Sequence, residues 1–242
     1  MIVQPLWMAP PGVQAATTRR HGGGQSRPPF DDFNLAMHVD DDPVAVAANR
    51  QRLEHHLGLA QPIAWPQQVH GIEVVDAVGA RGCQADAVYS ESPGQVCAVL
   101  TADCLPVLLA RRDGGAVAAV HAGWRGLADG VIEAAVRRFS RPGAELQAWL
   151  GAAIGPDSFE VGEDVRQAFL HHDAAADAAF RRHRPGHYLA DLYHLARLRL
   201  RACGVQQIDG GGECTYRQSQ DYFSFRREPR TGRQASLIWI AT

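Results

Sequence analysis

The residues with the clearest capacity for chemistry are one cysteine and two histidines. Cys104 stands in Thr101-Ala102-Asp103-Cys104-Leu105-Pro106, and His121 in Val120-His121-Ala122-Gly123-Trp124-Arg125-Gly126. His70 stands upstream in Gln67-Gln68-Val69-His70-Gly71. Two imidazoles and one thiolate can hold a zinc ion and leave a fourth position open to water or substrate. The same residues can instead supply a cysteine nucleophile and its histidine base. Both chemistries are open at this point. A cysteine taken alone is more often a small core residue, so its setting matters. Cys104 falls at a break between two apolar runs, where a side chain can be aimed into a cleft. His121 ends the run Ala116-Val117-Ala118-Ala119-Val120 and leads through small residues into a helix.

The neighbours of the trio suggest further roles. Gly123 and Gly126 leave backbone N–H groups free near a helix start, which suits an anion such as phosphate. Arg125 can add a bidentate contact to that anion. Asp103 and Asp86 are candidates to orient ligating side chains or to act on protons; short carboxylates at turns also simply cap the backbone. The eleven histidines are not equally informative. The pairs His55-His56 and His171-His172 fall in helical patterns and read as solvated faces, and His183 and His187 fall in a polar loop.

Composition narrows the chemistry. The chain of 242 residues contains no lysine, so neither a Schiff-base lysine nor a phosphate-loop lysine is available. A net charge of -2 argues against a non-specific nucleic-acid binder. The five cysteines are scattered, odd in number and lack a CxxC pair, so no disulfide framework is expected. The N-terminal residues lack the charged start and apolar run of a signal peptide, and no run approaches the length of a membrane span. A cytoplasmic protein with reduced thiols is the expectation, with no membrane and no obligate protein partner.

The elements that must position these residues are partly legible. Asp42, Pro43 and Gly58 bracket a helix over 44–57. Short apolar runs at 73–78, 86–89, 95–101, 105–110 and 116–121 read as strands, and Asp113-Gly114 joins the last two as a hairpin. Residues 131–139 read as a helix, 147–154 as a strand broken by Gly155-Pro156, and 163–171 as a helix with an alanine-rich continuation toward Phe180. Residues 17–29 and 181–187 read as loops. Asp191 caps a helix over 192–203 that Gly204 ends, and 222–226 and 236–241 read as strands. Strands gathered in hairpins with irregularly placed helices point to a mixed α/β (α+β) domain rather than a doubly wound one. No GxGxxG follows a strand, so no dinucleotide site is expected.

Taken together, the motifs resemble the YfiH/laccase-domain family. The matching residues are Gln67, Val69-His70-Gly71, Ala85-Asp86-Ala87, the two segments around Cys104 and His121, and Phe159-Glu160-Val161-Gly162. Asp191-Leu192, Cys214-Thr215, Phe223-Ser224-Phe225-Arg226-Arg227 and Thr231-Gly232-Arg233 continue the match in order along nearly the whole chain. The family carries three labels: laccase-like polyphenol oxidase, peptidoglycan editing factor, and purine nucleoside phosphorylase with adenosine deaminase activity. The resemblance implies one catalytic domain over 1–242, with central mixed β-sheets flanked by helices, similar to cysteine hydrolases of the cytotoxic necrotising factor type. It implies that His70, Cys104 and His121 bind one catalytic zinc. It also implies phosphorolysis of adenosine, inosine and methylthioadenosine, and deamination of adenosine, so a nucleoside and phosphate are the expected partners. Copper is the alternative metal, but a multicopper oxidase needs His-x-His pairs, and this chain has none and only three methionines. A cysteine hydrolase acting on peptidoglycan precursors, with Cys104 as nucleophile, is the other enzyme class. Two departures bear on substrate contacts rather than on the trio: Arg20-His21-Gly22-Gly23-Gly24-Gln25-Ser26 lacks the family's valine, and Phe159 stands where the family often has tyrosine.

Overall fold

The computed structural model describes residues 2–242. In chain order it contains β1 (Ile2–Val3), β2 (Val13–Thr18), α1 (Pro43–His56), β3 (Val74–Asp76), β4 (Ala87–Ser90) and β5 (Cys97–Thr101). These are followed by β6 (Leu105–Arg111), β7 (Val117–Ala122), α2 (Trp124–Asp129), α3 (Val131–Arg138), β8 (Leu146–Leu150) and β9 (Glu160–Gly162). The remainder is α4 (Glu163–Leu170), β10 (Phe180–Arg184), β11 (His187–Ala190), α5 (Leu192–Ala202), β12 (Gln207–Gly210) and β13 (Gln234–Ile240).

The strands form a six-stranded sheet in the order β12-β8-β6-β7-β4-β3 and a four-stranded sheet in the order β1-β2-β13-β5. A third sheet, β10-β11-β9, stands apart. The larger sheet is mixed: β12 with β8 and β3 with β4 are parallel, while the central pairs are antiparallel.

Side-chain alternation explains the layers. On β6 and β7, Leu105, Val107, Leu109, Ala118, Val120 and Ala122 pack in one core with Ile132 of α3 and Leu195 of α5. The intervening Leu108, Ala110, Val117 and Ala119 face a second core shared with Cys97, Val99, Ile238 and Ile240 of the smaller sheet. The opposite face of that sheet, through Ala98, Leu100, Leu237 and Trp239, covers Leu53 of α1. Helices, large sheet, small sheet and α1 therefore stack as four layers. Strands β6 and β7 are covered on both faces, which is why they read as unbroken apolar runs.

Several sequence expectations hold locally. Asp42 caps α1 by accepting from the Val44 amide, with Pro43 in the first turn, and Asp191 caps α5 through the His194 amide. The turn at Asp113-Gly114 joins β6 to β7, with Gly114 at φ 77°.

Others are corrected. Residues 181–187 are not a loop: β10 and β11 form a hairpin around Pro185-Gly186 whose arginines face solvent. The alanine-rich stretch before it is a 3-10 segment, Ala174–Ala179, rather than a continued α-helix. Residues 222–226 are not a strand; their amides turn inward to other partners, Phe223 to Gln234 and Arg226 to Asp103. Strand β8 ends at Leu150 rather than at Ile154: the Gly151 amide still donates to the Pro106 carbonyl across the ladder, but Pro106 has no N–H to return the bond. The strand at 73–78 shortens to β3 and turns into a 3-10 segment, Ala77–Gly79. Strand β2 carries no sequence signal, and its last two residues, Thr17-Thr18, fall inside what reads as a loop.

Candidate metal centre and active site

The ends of three strands meet at one edge of the sandwich. β5 stops at Thr101, β6 starts at Leu105, and β7 stops at Ala122. Leu105 pairs with Ala122, so the ladder continued by one residue sets Cys104 opposite Gly123. Ala87 of β4 pairs with Val120, which sets Asp86 beside His121, and the His121 amide donates to the Asp86 carbonyl at 2.7 Å. Val120 and Ala122 face the helical core, so alternation turns His121 toward the space beyond the end of β5.

His70, Cys104 and His121 converge there. One donor atom from each lies within 4.8 Å of the others, and the two imidazole centroids are 4.8 Å apart. His70 is exposed, Cys104 half-buried, and His121 buried. Two of the connecting segments adopt left-handed backbone: His70 at φ 60° and Asp103 at φ 91°. Such conformations cost free energy in non-glycine residues and persist where the surroundings over-determine them. Both are over-determined here.

Asp86 does this for His70. Its fully buried carboxylate accepts from three successive amides, Val69 at 3.2 Å, His70 at 3.0 Å and Gly71 at 2.7 Å. The same carboxylate accepts from Nδ1 of His121 at 2.7 Å, which leaves Nε2 as the free ring nitrogen. Gln68 ties the loop to β5 through reciprocal bonds with Leu100 of 2.8 and 2.7 Å. Asp103 is held by Thr215 Oγ1 at 2.6 Å, by the Arg226 amide at 2.7 Å, and through its own carbonyl by the Ile154 amide at 2.9 Å. Asp103 and Asp86 therefore shape the site from behind; neither lines the cavity in front of the trio.

Electrostatics follow from this packing. Burial disfavours a charged His121, but the Cys104 sulfur and the hydrogen bond to Asp86 outweigh it and hold the ring pKa up to about 9. Burial, and then the neighbouring His121, lower the pKa of His70. Burial pushes Asp86 up, yet the hydrogen bond and charge of His121, with the loop amides, bring it below its ordinary value.

The donors fit a metal. Two imidazoles and a thiolate are a ligand set for zinc or copper, and a carboxylate on the far ring nitrogen is the usual support for a ligating histidine. Gly123 keeps the space open: a Cβ there would fall 2.5 Å from His70 Nδ1 and 3.2 Å from Cys104 Sγ. Its φ of -65° is available to any residue, so the glycine is there for room rather than backbone freedom. Gly126 lets α2 approach the loop, since a Cβ would meet the Gly71 carbonyl at 2.7 Å.

In front of the trio lies a cavity of about 350 Å³. Arg125 lines it, its guanidinium 4.5 Å from the Trp124 ring centroid. His38, Gln68, Phe225 and Arg233 also line it. Gln68, Phe225 and Arg233 stand in the sequence motifs without an assigned role, and His38 carries no sequence signal because only folding brings it to the site.

Residues 14–241 match the family described as multi-copper polyphenol oxidoreductase laccase. The chain belongs to this YfiH/laccase-domain family. A laccase-domain relative in Pseudomonas aeruginosa, named purine nucleoside phosphorylase PA4543, is 52% identical over 237 residues, covering 98% of this chain and 97% of that one. The Escherichia coli purine nucleoside phosphorylase YfiH is 50% identical over 241 residues, covering 99% and 98%. The solved structure of the Neisseria meningitidis protein NMB0706 superposes with a TM-score of 0.96 at 44% identity, covering 100% of this chain and 99% of that one. That of YlmD from Geobacillus stearothermophilus gives 0.87 at 29% identity, covering 96% and 93%. The family's description bears on the donors that could hold a metal. His70, Cys104 and His121 are the one such donor group among the described residues, and no methionine lines the cavity. No described helix is long and apolar enough to cross a membrane.

Proposed function

We propose that this laccase-domain chain is a zinc-dependent purine nucleoside phosphorylase acting on adenosine, inosine and methylthioadenosine, with adenosine deaminase activity. The observation that carries the reading is the convergence of His70, Cys104 and His121 on one cavity that also holds arginine side chains. The names of the relatives supply the substrate class.

In this reading His70, Cys104 and His121 would hold the metal, which when bound would supply Lewis acidity beside the cavity. Asp86 keeps His121 in the tautomer that presents Nε2, and fixes the backbone that carries His70. In phosphorolysis a phosphate oxygen forms a bond to the sugar's anomeric carbon while the bond to the purine nitrogen breaks. The demands on the protein are positioning and charge neutralisation. Arginine supplies the charge, and Gly123 keeps the reacting volume clear. Deamination takes up water and releases ammonia in the same cavity. The chain takes small molecules as its partners and works in the cytoplasm with its five cysteines unpaired.

A second reading rests on one observation. Cys104, His121 and Asp86 also stand in the order nucleophile, base and orienting carboxylate, as a cysteine hydrolase acting on peptidoglycan precursors would need. His70 favours the metal reading, because a cysteine hydrolase has no use for a third donor within 4.8 Å.

Metal content of the purified protein, followed by incubation of adenosine with phosphate and chromatography, separates the two. About one equivalent of zinc with release of adenine and ribose 1-phosphate, or of inosine, supports the phosphorylase. Metal-free protein with an amidase activity that thiol alkylation blocks would sink it.

A further inference from the structure

We propose that Arg233 is the phosphate-binding residue of the cavity, its free guanidinium edge taking an oxyanion beside the His70–Cys104–His121 group. The assignment rests on the phosphorolysis reading and names the residue that gives that reaction its second substrate.

Arg233 immediately precedes β13, where Gln234 pairs with Thr101 at the end of β5. That places it on the cavity wall formed by Leu100, Thr101 and Ala102. Its guanidinium is fixed rather than free. Nη1 donates to the carbonyls of Thr231 at 2.9 Å and Gly232 at 3.0 Å, and the group lies 5.7 Å from the Phe225 ring centroid. Nε and Nη2 have no protein acceptor among the described residues. Those two atoms form the side-on edge that binds a phosphate through two parallel hydrogen bonds.

The charge of Arg233 is also met by no carboxylate within ion-pair distance. It forms no ion pair among the described residues, in a chain where Arg20, Arg166, Arg184 and Arg199 all do. The acidic groups that act on it are Cys104 and Asp103. Both oxygens of Asp103 are already taken, by Thr215 and by the Arg226 amide. Burial lowers the Arg233 pKa from its ordinary value, yet a guanidinium stays charged. A partly dehydrated cation with an open donor edge is a site prepared for an anion.

Arg125 is the competing candidate on the same cavity. It is exposed, on a helix of six residues, with its guanidinium over Trp124. An ion pair in water is worth little and is screened by salt, whereas the same pair at a half-buried position is several times stronger. Arg233 therefore carries the larger share of phosphate affinity. His38 completes this wall: burial, then Arg233 and Arg50, lower its pKa, which favours a neutral ring beside Arg233.

The test is steady-state kinetics with inorganic phosphate and nucleoside varied separately, on the wild-type protein with its metal and on Arg233→Gln, Arg233→Lys and Arg125→Gln. Loss of a charge-assisted bidentate contact raises the phosphate KM of Arg233→Gln by about ten- to a hundredfold. Its nucleoside KM at saturating phosphate moves by less than about threefold, and metal content is unchanged. Arg233→Lys recovers part of the loss, and Arg125→Gln has the smaller effect. A phosphate KM that is unchanged in Arg233→Gln, that rises equally with the nucleoside KM, or that depends on Arg125 alone overturns the assignment. If Arg233→Gln folds poorly, calorimetric titration of inorganic phosphate into wild type and Arg233→Lys decides it: equal affinities overturn the assignment. Wild-type protein that cleaves no nucleoside with phosphate present would instead sink the proposed function itself.

Discussion

The Asp86 carboxylate and the His121 ring are joined at 2.7 Å, and the same carboxylate oxygen lies 3.0 Å from the backbone nitrogen of His70. One fully buried side chain thus governs both histidines of the candidate metal centre, one through its ring and the other through its main chain. The two histidines lie on different elements, an exposed loop and the end of a core strand. Among the described hydrogen bonds, no other residue bonds to both.

This makes Asp86 a positioning residue whose loss shows first in metal affinity. In Asp86→Asn the neutral amide accepts less strongly and sets an N–H against donors it must satisfy. Zinc affinity, measured by competition with a chromogenic chelator, should fall about ten- to a hundredfold. Asp86→Ala also strands three loop amides and a buried imidazole, and should cost at least about 2 kcal/mol in denaturant unfolding. Wild-type zinc affinity in Asp86→Asn would show that the histidines are held by packing alone.

Gly123→Ala probes the same centre by volume. The added methyl has no backbone cost at φ -65° but falls 2.5 Å from His70 Nδ1. His70 sits on an exposed loop and can move aside, so the fold survives while the trio opens. Zinc per chain, measured by mass spectrometry of the dialysed protein, should drop well below one equivalent, with the thermal midpoint of metal-free protein nearly unchanged. Full zinc occupancy would mean that the metal, if bound, sits away from the Gly123 face.

How much of this was legible in the sequence depends on how local each cause is. Asp42, Pro43 and Gly58 announce α1 because caps and breakers act within one turn, and the Asp113-Gly114 hairpin is local in the same way. β10 reads as a loop because it is an edge strand whose Arg181, Arg182, His183 and Arg184 all face solvent, so no apolar alternation marks it. β2 hides because two of its three buried positions are small or polar, Ala16 and Thr18. Residues 222–226 carry strand-like aromatics, but their amides are claimed by Gln234 and Asp103 from distant segments. The trio was readable from its motifs, whereas the approach of His38 and Arg233 to one wall spans most of the chain and leaves no local trace.

The outer sheet should be acid-labile in a defined direction. The bidentate pairing of Arg184 with Glu160, at 2.9 and 2.6 Å, holds the Glu160 pKa down to about 2 against an ordinary 4.5, helped by His187 and His183. A depressed carboxylate stabilises the fold above its unfolded pKa, and that contribution disappears as pH falls through the folded value. Thermal midpoints of wild type and Glu160→Gln should therefore differ above pH 4.5 and converge as pH approaches 2. The gap is small because the pair is exposed, and 1 M salt should narrow it. Curves that stay parallel down to pH 2 would show that the pair contributes nothing.

His70→Asn separates the two enzyme readings most directly, because it touches one and spares the other. A cysteine hydrolase needs Cys104, His121 and Asp86. None of these is altered, and the loop amides that Asp86 binds are backbone groups that asparagine retains. Asparagine also tolerates the left-handed conformation that His70 adopts at φ 60°, so local structure should persist. The metal reading predicts a different outcome. Removing one of three protein ligands should lower zinc affinity by orders of magnitude and abolish phosphate-dependent nucleoside cleavage. In the same variant Cys104 should react faster with iodoacetamide, because a zinc-bound thiolate is shielded and a free one is not. If His70→Asn instead keeps its activity and its alkylation rate, the third donor is idle, and Cys104 with His121 must be read as nucleophile and base.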